Sequence, residues 1–183
     1  MVVEDRNILD AFTEDFCDVV QKYTEYIVVS GFVAIASGRA RGTEDIDMIV
    51  SRIPIEYFVA LHQELVDKGF VCMQSADAKT IYVDYLSKDL SVRYTYESHL
   101  LPQMEVKMEK DPVDTYQLKT KTKLPLTGLD IWFSNINVNL AFKEHLLKSD
   151  KDLEDAKHLR IVYSELVNEA EINKVRELIE RYR

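Results

Sequence analysis

Two aspartates, Asp45 and Asp47, are the residues whose types and spacing most directly indicate chemistry. They open the segment 45–51, in which acids and apolar residues alternate, and this pattern predicts a strand with both acids on one face. Two carboxylates that point the same way can coordinate one or two divalent cations through oxygen. Such cations serve phosphoryl transfer, because they clamp phosphate groups, activate an attacking hydroxyl and stabilise the leaving oxygen.

A glycine turn before the two aspartates offers a place for the phosphate groups. Residues 26–30 are typical of a buried strand, Gly31 permits a sharp turn, and residues 32–37 have the composition of a short helix. The backbone N–H groups at a helix start can bind phosphate oxygens at the positive end of the helix dipole. Arg39 and Arg41 follow in a basic loop, where they either contact phosphates through paired guanidinium hydrogen bonds or remain solvated.

These segments together resemble the nucleotidyltransferase superfamily that includes DNA polymerase beta. The resemblance rests on the Ser30–Gly31 turn, the loop 38–41 and the sequence Thr43-Glu44-Asp45-Ile46-Asp47. The signature of the superfamily is a Gly-Gly or Gly-Ser turn, a helix-sized gap and then Asp-hydrophobic-Asp, and here the turn is Ser-Gly. The sequence is most similar to the small bacterial and archaeal members, which include the toxin-type abortive-infection nucleotidyltransferases.

The resemblance implies a catalytic metal, Mg²⁺ or Mn²⁺, bound by Asp45, Asp47 and a third carboxylate on a later strand. Glu105 is the first choice, since it lies between core residues in the alternating segment 104–109. Asp84 is the alternative if its own segment is a strand. The resemblance also implies a nucleoside triphosphate as substrate, held by residues of the first motif: Ser30, Gly31, Arg41 and Thr43.

A second match to the same family lies further along the chain. It consists of Lys143 on a predicted helix, a short turn, and Lys-Asp-x-x-Asp at the start of the next helix. The resemblance implies that Lys143 contacts the triphosphate, and that Asp152 or Asp155 orients a lysine or acts near the acceptor. The alternative is that these acids only complement the dipole of the helix that they open.

The elements that must position these residues follow an α+β pattern, with a small mixed sheet, flanking helices and a C-terminal helical lobe. We expect residues 1–133 to form the nucleotidyltransferase-like core and residues 134–183 the helical lobe packed on it. Helical spacing predicts helices at about 5–22 and 54–68. Breaks near Ser134–Asn135, Ser149–Asp150 and Asn168 supply N-caps for three more, at about 136–148, 151–165 and 169–182. Strands beyond those already named are predicted at 70–73, 90–96 and 104–109, and we expect the last two to be neighbours.

Three further segments carry weaker patterns. Residues 76–86 fit both helical spacing and strand alternation, and helix is favoured. Residues 111–128 contain prolines and alternating lysines, which predict a loop followed by an edge strand that carries Lys119, Lys121 and Lys123. Residues 129–133 have the composition of another strand.

Composition excludes several classes of protein. The 183 residues include 32 acidic and 23 basic side chains, a net charge of −9, which argues against binding nucleic acid through surplus basic charge. The longest apolar stretch, 27–36, is too short to span a bilayer, and the first residues lack a secretory signal, so we expect a cytoplasmic protein without membrane contact. Cys17 and Cys72 are isolated, and predict neither a zinc site nor a disulfide.

The preferred hypothesis is an enzyme that transfers a nucleoside monophosphate from a nucleoside triphosphate to an acceptor, with release of pyrophosphate. The acceptor is a protein side chain, an RNA end or a small molecule. Two alternatives stay open. Glu105-Val106-Lys107, with an upstream aspartate, resembles the acid-x-lysine strand of restriction-type metal nucleases. The other alternative is a nucleotide-binding or protein-binding module without activity, such as one half of a toxin–antitoxin pair with a protein partner.

Overall fold

A five-stranded mixed sheet forms the centre of the fold in the computed structural model, which describes residues 3–42 and 45–183. The strands are β1 (Tyr26–Val29), β2 (Asp45–Val50), β3 (Phe70–Cys72), β4 (Val92–Tyr96) and β5 (Gln103–Met108). Their order across the sheet is β1-β2-β5-β4-β3. The pair β2 and β5 is parallel, and the other neighbouring pairs are antiparallel.

Helices surround this sheet, and the α+β class predicted from the sequence is confirmed. They are α1 (Val3–Val20), α2 (Gly31–Ala36), α3 (Ile55–Asp67), α4 (Ala78–Thr80), α5 (Pro112–Lys119), α6 (Ile136–Ala141), α7 (Asp150–Val162) and α8 (Glu169–Tyr182). A π-helical turn extends α4 over Ile81–Tyr85, and another extends α6 over Phe142–Leu147. The favoured helical interpretation of residues 76–86 is therefore also confirmed.

Side-chain caps begin the last three helices, as the sequence predicted. The Oδ1 atom of Asn135 accepts a hydrogen bond of 2.7 Å from the N–H of Asn137 at the start of α6. Ser149 Oγ accepts one of 3.2 Å from the N–H of Asp152 before α7, and Asn168 caps α8 in the same way. Each cap satisfies an N–H group that the helix itself leaves without a partner, and contributes about 1 kcal/mol.

The region after β5 differs from the predicted loop and edge strand. Pro112–Lys119 is a helix, α5, and Asp111 caps it by accepting a hydrogen bond of 2.9 Å from the N–H of Asp114. A capping aspartate followed by a proline at the first helical position is a strong helix start. The alternating lysines suggested a strand, but the first of them, Lys119, ends this helix.

The two segments that follow α5 were also predicted as strands, and this prediction is wrong. Thr122, between Lys121 and Lys123, makes only an isolated antiparallel bridge to Phe133, with two backbone hydrogen bonds of 2.9 Å. Phe133 in turn makes a single parallel bridge to Val28 of β1. These bridges lie against the edge strand of the sheet, where they limit its exposure to other chains.

The two faces of the sheet have different surroundings, and this difference positions the site. One face packs on α1 and α3, with Val50, Tyr94 and Met108 against Phe16 and Phe58. Full burial of one such phenylalanine contributes roughly 1.5–3 kcal/mol. The other face of β2 and β5 carries the alternating polar side chains, and turns them toward the C-terminal helices.

Neither cysteine takes part in a disulfide. Cys17 is buried, and burial raises the pKa of its thiol to about 12, so that this thiol is inert at neutral pH. Cys72 is partly buried. Over residues 3–42 and 45–183, none of the helices combines the length and the apolar character that crossing a bilayer requires.

Candidate active site

A cleft of about 200 Å³ lies between the polar face of the sheet and the C-terminal helices. From the sheet side, Ser30, Asp47, Glu105 and Lys107 line it. The helical side includes Lys143 and an apolar wall at the π-helical turn after α6. Residues from both sequence motifs therefore face one space.

Strand register brings the three predicted metal ligands onto one face. Because β2 and β5 are parallel, Asp47 lies directly opposite Glu105, and Asp45 opposite Gln103. Paired residues on neighbouring strands are about 5 Å apart. Asp45 is exposed at the start of β2, whereas Asp47 is half-buried in the wall of the cleft.

The environment of Asp47 favours a positive charge beside it. Burial raises the pKa of its carboxyl above the usual range, and the negative charges of Glu105 and Asp45 add to this effect. The neighbouring Ser30 hydroxyl and the positive charge of Lys107 oppose it without cancelling it. A cation bound at this carboxylate would relieve the repulsion among the three acids.

Glu105 has partners of its own on the neighbouring part of the sheet. Ser91 Oγ donates a hydrogen bond of 2.8 Å to Glu105 Oε1, and the Arg93 guanidinium donates one of 2.7 Å to Oε2. In the described parts of the chain, no group of three or more His, Cys, Asp and Glu side chains is gathered as a metal site. The third carboxylate is thus adjacent to Asp47 but turned to Arg93.

Asp84, the alternative third carboxylate, lies elsewhere. It belongs to the π-helical turn that extends α4, not to a strand, and its side chain is half exposed. Its carboxylate pairs with Lys88 at 3.3 Å, four residues along the same helical segment. The structure therefore leaves Glu105 as the acid beside Asp47.

The Ser30–Gly31 turn connects β1 to α2. It lies next to β2, which carries Asp47, and next to the arginine loop, which carries Arg39 and Arg41. Ser30 has a left-handed φ of 67° and a ψ of −137°, and it lines the cleft together with Asp47. A Cβ atom on Gly31 would lie 3.0 Å from Arg41 Nη2. Glycine at this position therefore lets the guanidinium of Arg41 pack directly on the turn.

A buried cluster of charges joins the second motif to this turn. Three cations converge on Asp155, which is fully buried: Arg39, Arg41 at 2.6 Å and Lys143 at 2.8 Å. Asp152 lies 3.4 Å from Lys143 Nζ. Lys143 and Asp155 are both almost inaccessible to solvent, so that loss of either partner would leave an unpaired buried charge.

Within this cluster the pKa values shift in the directions that burial and pairing dictate. Burial lowers the pKa of Lys143, although the neighbouring Asp152 partly opposes that shift. Burial also lowers the pKa of Arg41, and the charge of Arg39 adds to it. Burial alone would raise the pKa of Asp152, but the hydrogen bond from Ser149 and the charge of Lys143 bring it below the usual range.

Most of the residues predicted to bind the nucleotide lie close together. The structure places Ser30, Gly31, Arg41, Lys143 and Asp152 around the turn and the cleft. Thr43 lies outside the described residues. Sequence reasoning offered Asp155 only as an alternative to Asp152, whereas it is the centre of the cluster.

Comparison with known proteins identifies the fold. No model of a known protein family matches the chain, and no curated protein matches its sequence. The solution structure of the antibiotic-resistance factor ANT(2'')-Ia matches with a TM-score of 0.55 and 11% identity, over 96% of this chain and 92% of the other. The crystal structure of an antigenic nucleotidyltransferase-like protein from Paracoccidioides brasiliensis matches with a TM-score of 0.51 and 13% identity, over 97% and 94% of the two chains. This protein has a nucleotidyltransferase-like fold, as the sequence predicted.

Proposed function

We propose that this protein is a metal-dependent nucleotidyltransferase that transfers a nucleoside monophosphate from a nucleoside triphosphate to an acceptor hydroxyl. The observation that carries the proposal is that Ser30 of the glycine turn and Asp47 of β2 line the same cleft, with Val29, the residue before Ser30, paired to Asp47 across the sheet. The nucleotidyltransferase-like fold supports the general kind of activity.

The residues around Asp47 suit Mg²⁺ or Mn²⁺. Asp45 and Asp47 offer carboxylate oxygens from one strand face, and oxygen is the ligand that these cations prefer. Mg²⁺ is commonly held by only one or two carboxylates together with substrate phosphates, so that Glu105 need not be a ligand. When bound, the metal would supply positive charge to the phosphates and acidify the acceptor hydroxyl.

The cations at the turn would receive the triphosphate. The Arg41 guanidinium packs on Gly31, and Asp155 fixes it there through a hydrogen bond of 2.6 Å. Lys143 lines the cleft and is fixed by the same carboxylate. Two positioned cations near the β- and γ-phosphates would stabilise the charge that develops on the leaving pyrophosphate.

The reaction then needs an acceptor oxygen and a place for its proton. The acceptor oxygen forms a bond to the α-phosphorus, the bond from that phosphorus to the bridging oxygen breaks, and pyrophosphate leaves. Glu105, opposite Asp47, would take the proton of the acceptor hydroxyl. Hydrogen bonds from Ser91 and Arg93 fix the position of its carboxylate.

One observation favours the metal nuclease as a second candidate. Lys107 lines the same cleft as Glu105 and Asp47, as an acid-x-lysine nuclease site requires. A nuclease would leave the Ser30–Gly31 turn and the cluster around Asp155 without a role in the reaction. It would also cleave nucleic acid without binding a free nucleoside triphosphate.

Transfer of label from an α-labelled nucleoside triphosphate tests the proposal. The native protein is incubated with Mg²⁺ or Mn²⁺ and with RNA, protein or small-molecule hydroxyl acceptors, and both labelled product and pyrophosphate are measured. We expect both with the native protein and with Asp84→Asn, a matched carboxylate change outside the cleft. Asp45→Asn and Asp47→Asn should lose both products. Cleavage of plasmid DNA without label transfer would instead establish the nuclease.

A further inference from the structure

The cleft continues past the acids to a second region, which we call the inner end. Lys107 lies two residues after Glu105 on β5 and opposite Ile49, about 7 Å along the strand from the Asp47 level. Because β1 is antiparallel to β2 and ends opposite Asp47, the Ser30–Gly31 turn lies toward the other end. Gln117, Asn139 and Arg183 line the same cleft as Lys107. Leu118, next to Gln117, packs with Ile49, the residue opposite Lys107, and Ser134 hydrogen-bonds both Gln117 and Asn139, so that these amides belong to the inner end.

The cations that line the cleft differ in their pairing. Arg183 is paired with Asp111 at 2.9 Å and with Asp114 at 2.5 Å, and Lys143 is paired with Asp155. Lys107, by contrast, makes no ion pair or side-chain hydrogen bond with any residue that the structure describes, and acts on Asp47 only through its charge. A partly buried ammonium without a counterion is suited to bind an anion from solution.

Two almost fully buried amides complete the inner end. Asn139 donates both of its amide hydrogens, to the carbonyl oxygens of Ser134 at 2.9 Å and Asn135 at 3.0 Å. Its own side-chain oxygen accepts no hydrogen bond from the described residues, and is left for a donor in the cleft. Gln117 donates one hydrogen to Asp114 at 3.3 Å, which leaves its second hydrogen for an acceptor.

We propose that the inner end binds an oxyanion, a phosphate or a carboxylate, that the acceptor molecule carries in addition to its reacting hydroxyl. Lys107 is the charged contact, the second amide hydrogen of Gln117 a further donor, and the side-chain oxygen of Asn139 accepts from a hydroxyl or amine of the same molecule. The proposal rests on the proposed function, because the reacting hydroxyl must reach the Asp47 level while the oxyanion lies about 7 Å away at Lys107.

This local positive charge stands out against the protein as a whole. The net charge of the chain is −9, and the carboxylates of Asp47 and Glu105 line the same cleft. An anionic acceptor would therefore be repelled from most of this surface, and Lys107 would determine where it binds. An acceptor without an oxyanion gains nothing from that contact.

Binding of inorganic phosphate and of acetate tests the proposal, each by calorimetry and by the side-chain amide NMR signals of Gln117 and Asn139. The titrations are made on the native protein with and without Mg²⁺ and a saturating non-hydrolysable nucleoside triphosphate. We expect at least one of the two anions to bind in both conditions and to shift the two amide signals. If phosphate binds more strongly than acetate, the oxyanion of the acceptor is assigned as a phosphate ester. If acetate binds more strongly, that oxyanion is assigned as a carboxylate.

Three variants give the controls. Lys107→Gln should weaken anion binding by about tenfold or more, the loss expected for a charge-assisted contact, and Lys107→Arg should retain it. Lys68→Gln, an equal change at an exposed lysine outside the cleft, should bind as the native protein does. Equal binding by Lys107→Gln and the native protein would overturn the proposal.

The two proposals fail in different ways. If the triphosphate analogue does not bind but phosphate still depends on Lys107, the proposed function fails and the inner anion site stands. If the analogue binds and displaces all bound phosphate and acetate, the anions occupied the triphosphate site, and the inner anion site is overturned.

Discussion

Ser30 lies beside Asp47 in the wall of one cleft, and its backbone has a conformation that serine rarely adopts. The φ of 67° and ψ of −137° lie in a region that glycine enters freely and that strains other residues by about 1–3 kcal/mol. The nucleotidyltransferase signature that the sequence resembles has glycine at this position, whereas this chain has a serine that lines the cleft beside Asp47.

That strain predicts which of two variants without the hydroxyl is the more stable. Ser30→Gly should be more stable than Ser30→Ala by about 1 kcal/mol, because only alanine retains the cost of the left-handed backbone. Urea unfolding of both variants measures the difference. Equal free energies of unfolding would show that the backbone at residue 30 is not left-handed.

Among the charged residues, Asp155 is the one whose substitution we expect to lower stability most. Asp155→Asn leaves Arg39, Arg41 and Lys143 without their shared counterion, and should lower the free energy of unfolding by about 3–5 kcal/mol. Glu154→Gln is the control. Glu154 also pairs with Arg39 but is 65% exposed, so that this change should lower the free energy of unfolding by less than about 1 kcal/mol. Similar losses in the two variants would contradict the central position of Asp155.

Glu105 is expected to affect turnover more than nucleotide binding. Glu105→Gln should reduce label transfer by about 100-fold or more, the usual contribution of a positioned general base, and leave nucleotide affinity within a few fold. Ser91→Ala is a milder comparison, because it removes one hydrogen bond to Glu105 and leaves the carboxylate. Single-turnover kinetics separate the two effects, and full turnover by Glu105→Gln would exclude the residue as the base.

His62 predicts a pH dependence of stability. It lies between the Tyr94 hydroxyl at 2.8 Å and the Ala76 carbonyl oxygen at 3.2 Å, and burial lowers its pKa. The unfolded chain, with a histidine pKa of about 6.5, then binds the proton more readily than the folded chain, so stability is lost as the pH falls below about 6.5.

The measurement for His62 is urea unfolding from about pH 8 to pH 5. The difference in free energy of unfolding between the native protein and His62→Gln should shrink as the pH falls. Only in the native protein does protonation of the buried imidazole destabilise the folded state. A difference that is constant over this range would show that His62 titrates alike in the folded and unfolded states.

Local signals in the sequence predicted most helices and strands, and among them the strand β2 that carries Asp45 and Asp47. The alternation at 45–51 put Asp45 and Asp47 on one face, and Asn135, Ser149 and Asn168 marked three helix starts. These features depend on residues a few positions apart. The same local reasoning failed at α5, where alternating lysines outweighed the cap formed by Asp111.

The contacts that complete the site depend on residues far apart in the chain. Arg41 and Asp155 are 114 positions apart, and only the packing of α7 on α2 brings them together. Arg93 binds Glu105 because β4 and β5 are antiparallel with these two residues in register. A one-residue change of that register would turn Arg93 to the other face, and no local pattern fixes it.

Calorimetric titration of a nucleoside triphosphate in the presence of Mg²⁺ tests the central claim most directly. We expect the native protein and Asp84→Asn to bind with the same affinity, and EDTA to abolish or strongly weaken binding. Asp47→Asn, shown to be folded by its thermal unfolding, should bind at least about tenfold more weakly, as expected when a charged ligand group is removed. Metal-independent binding that Asp47→Asn leaves unchanged, or no binding of any nucleoside triphosphate by the folded native protein, would contradict the account.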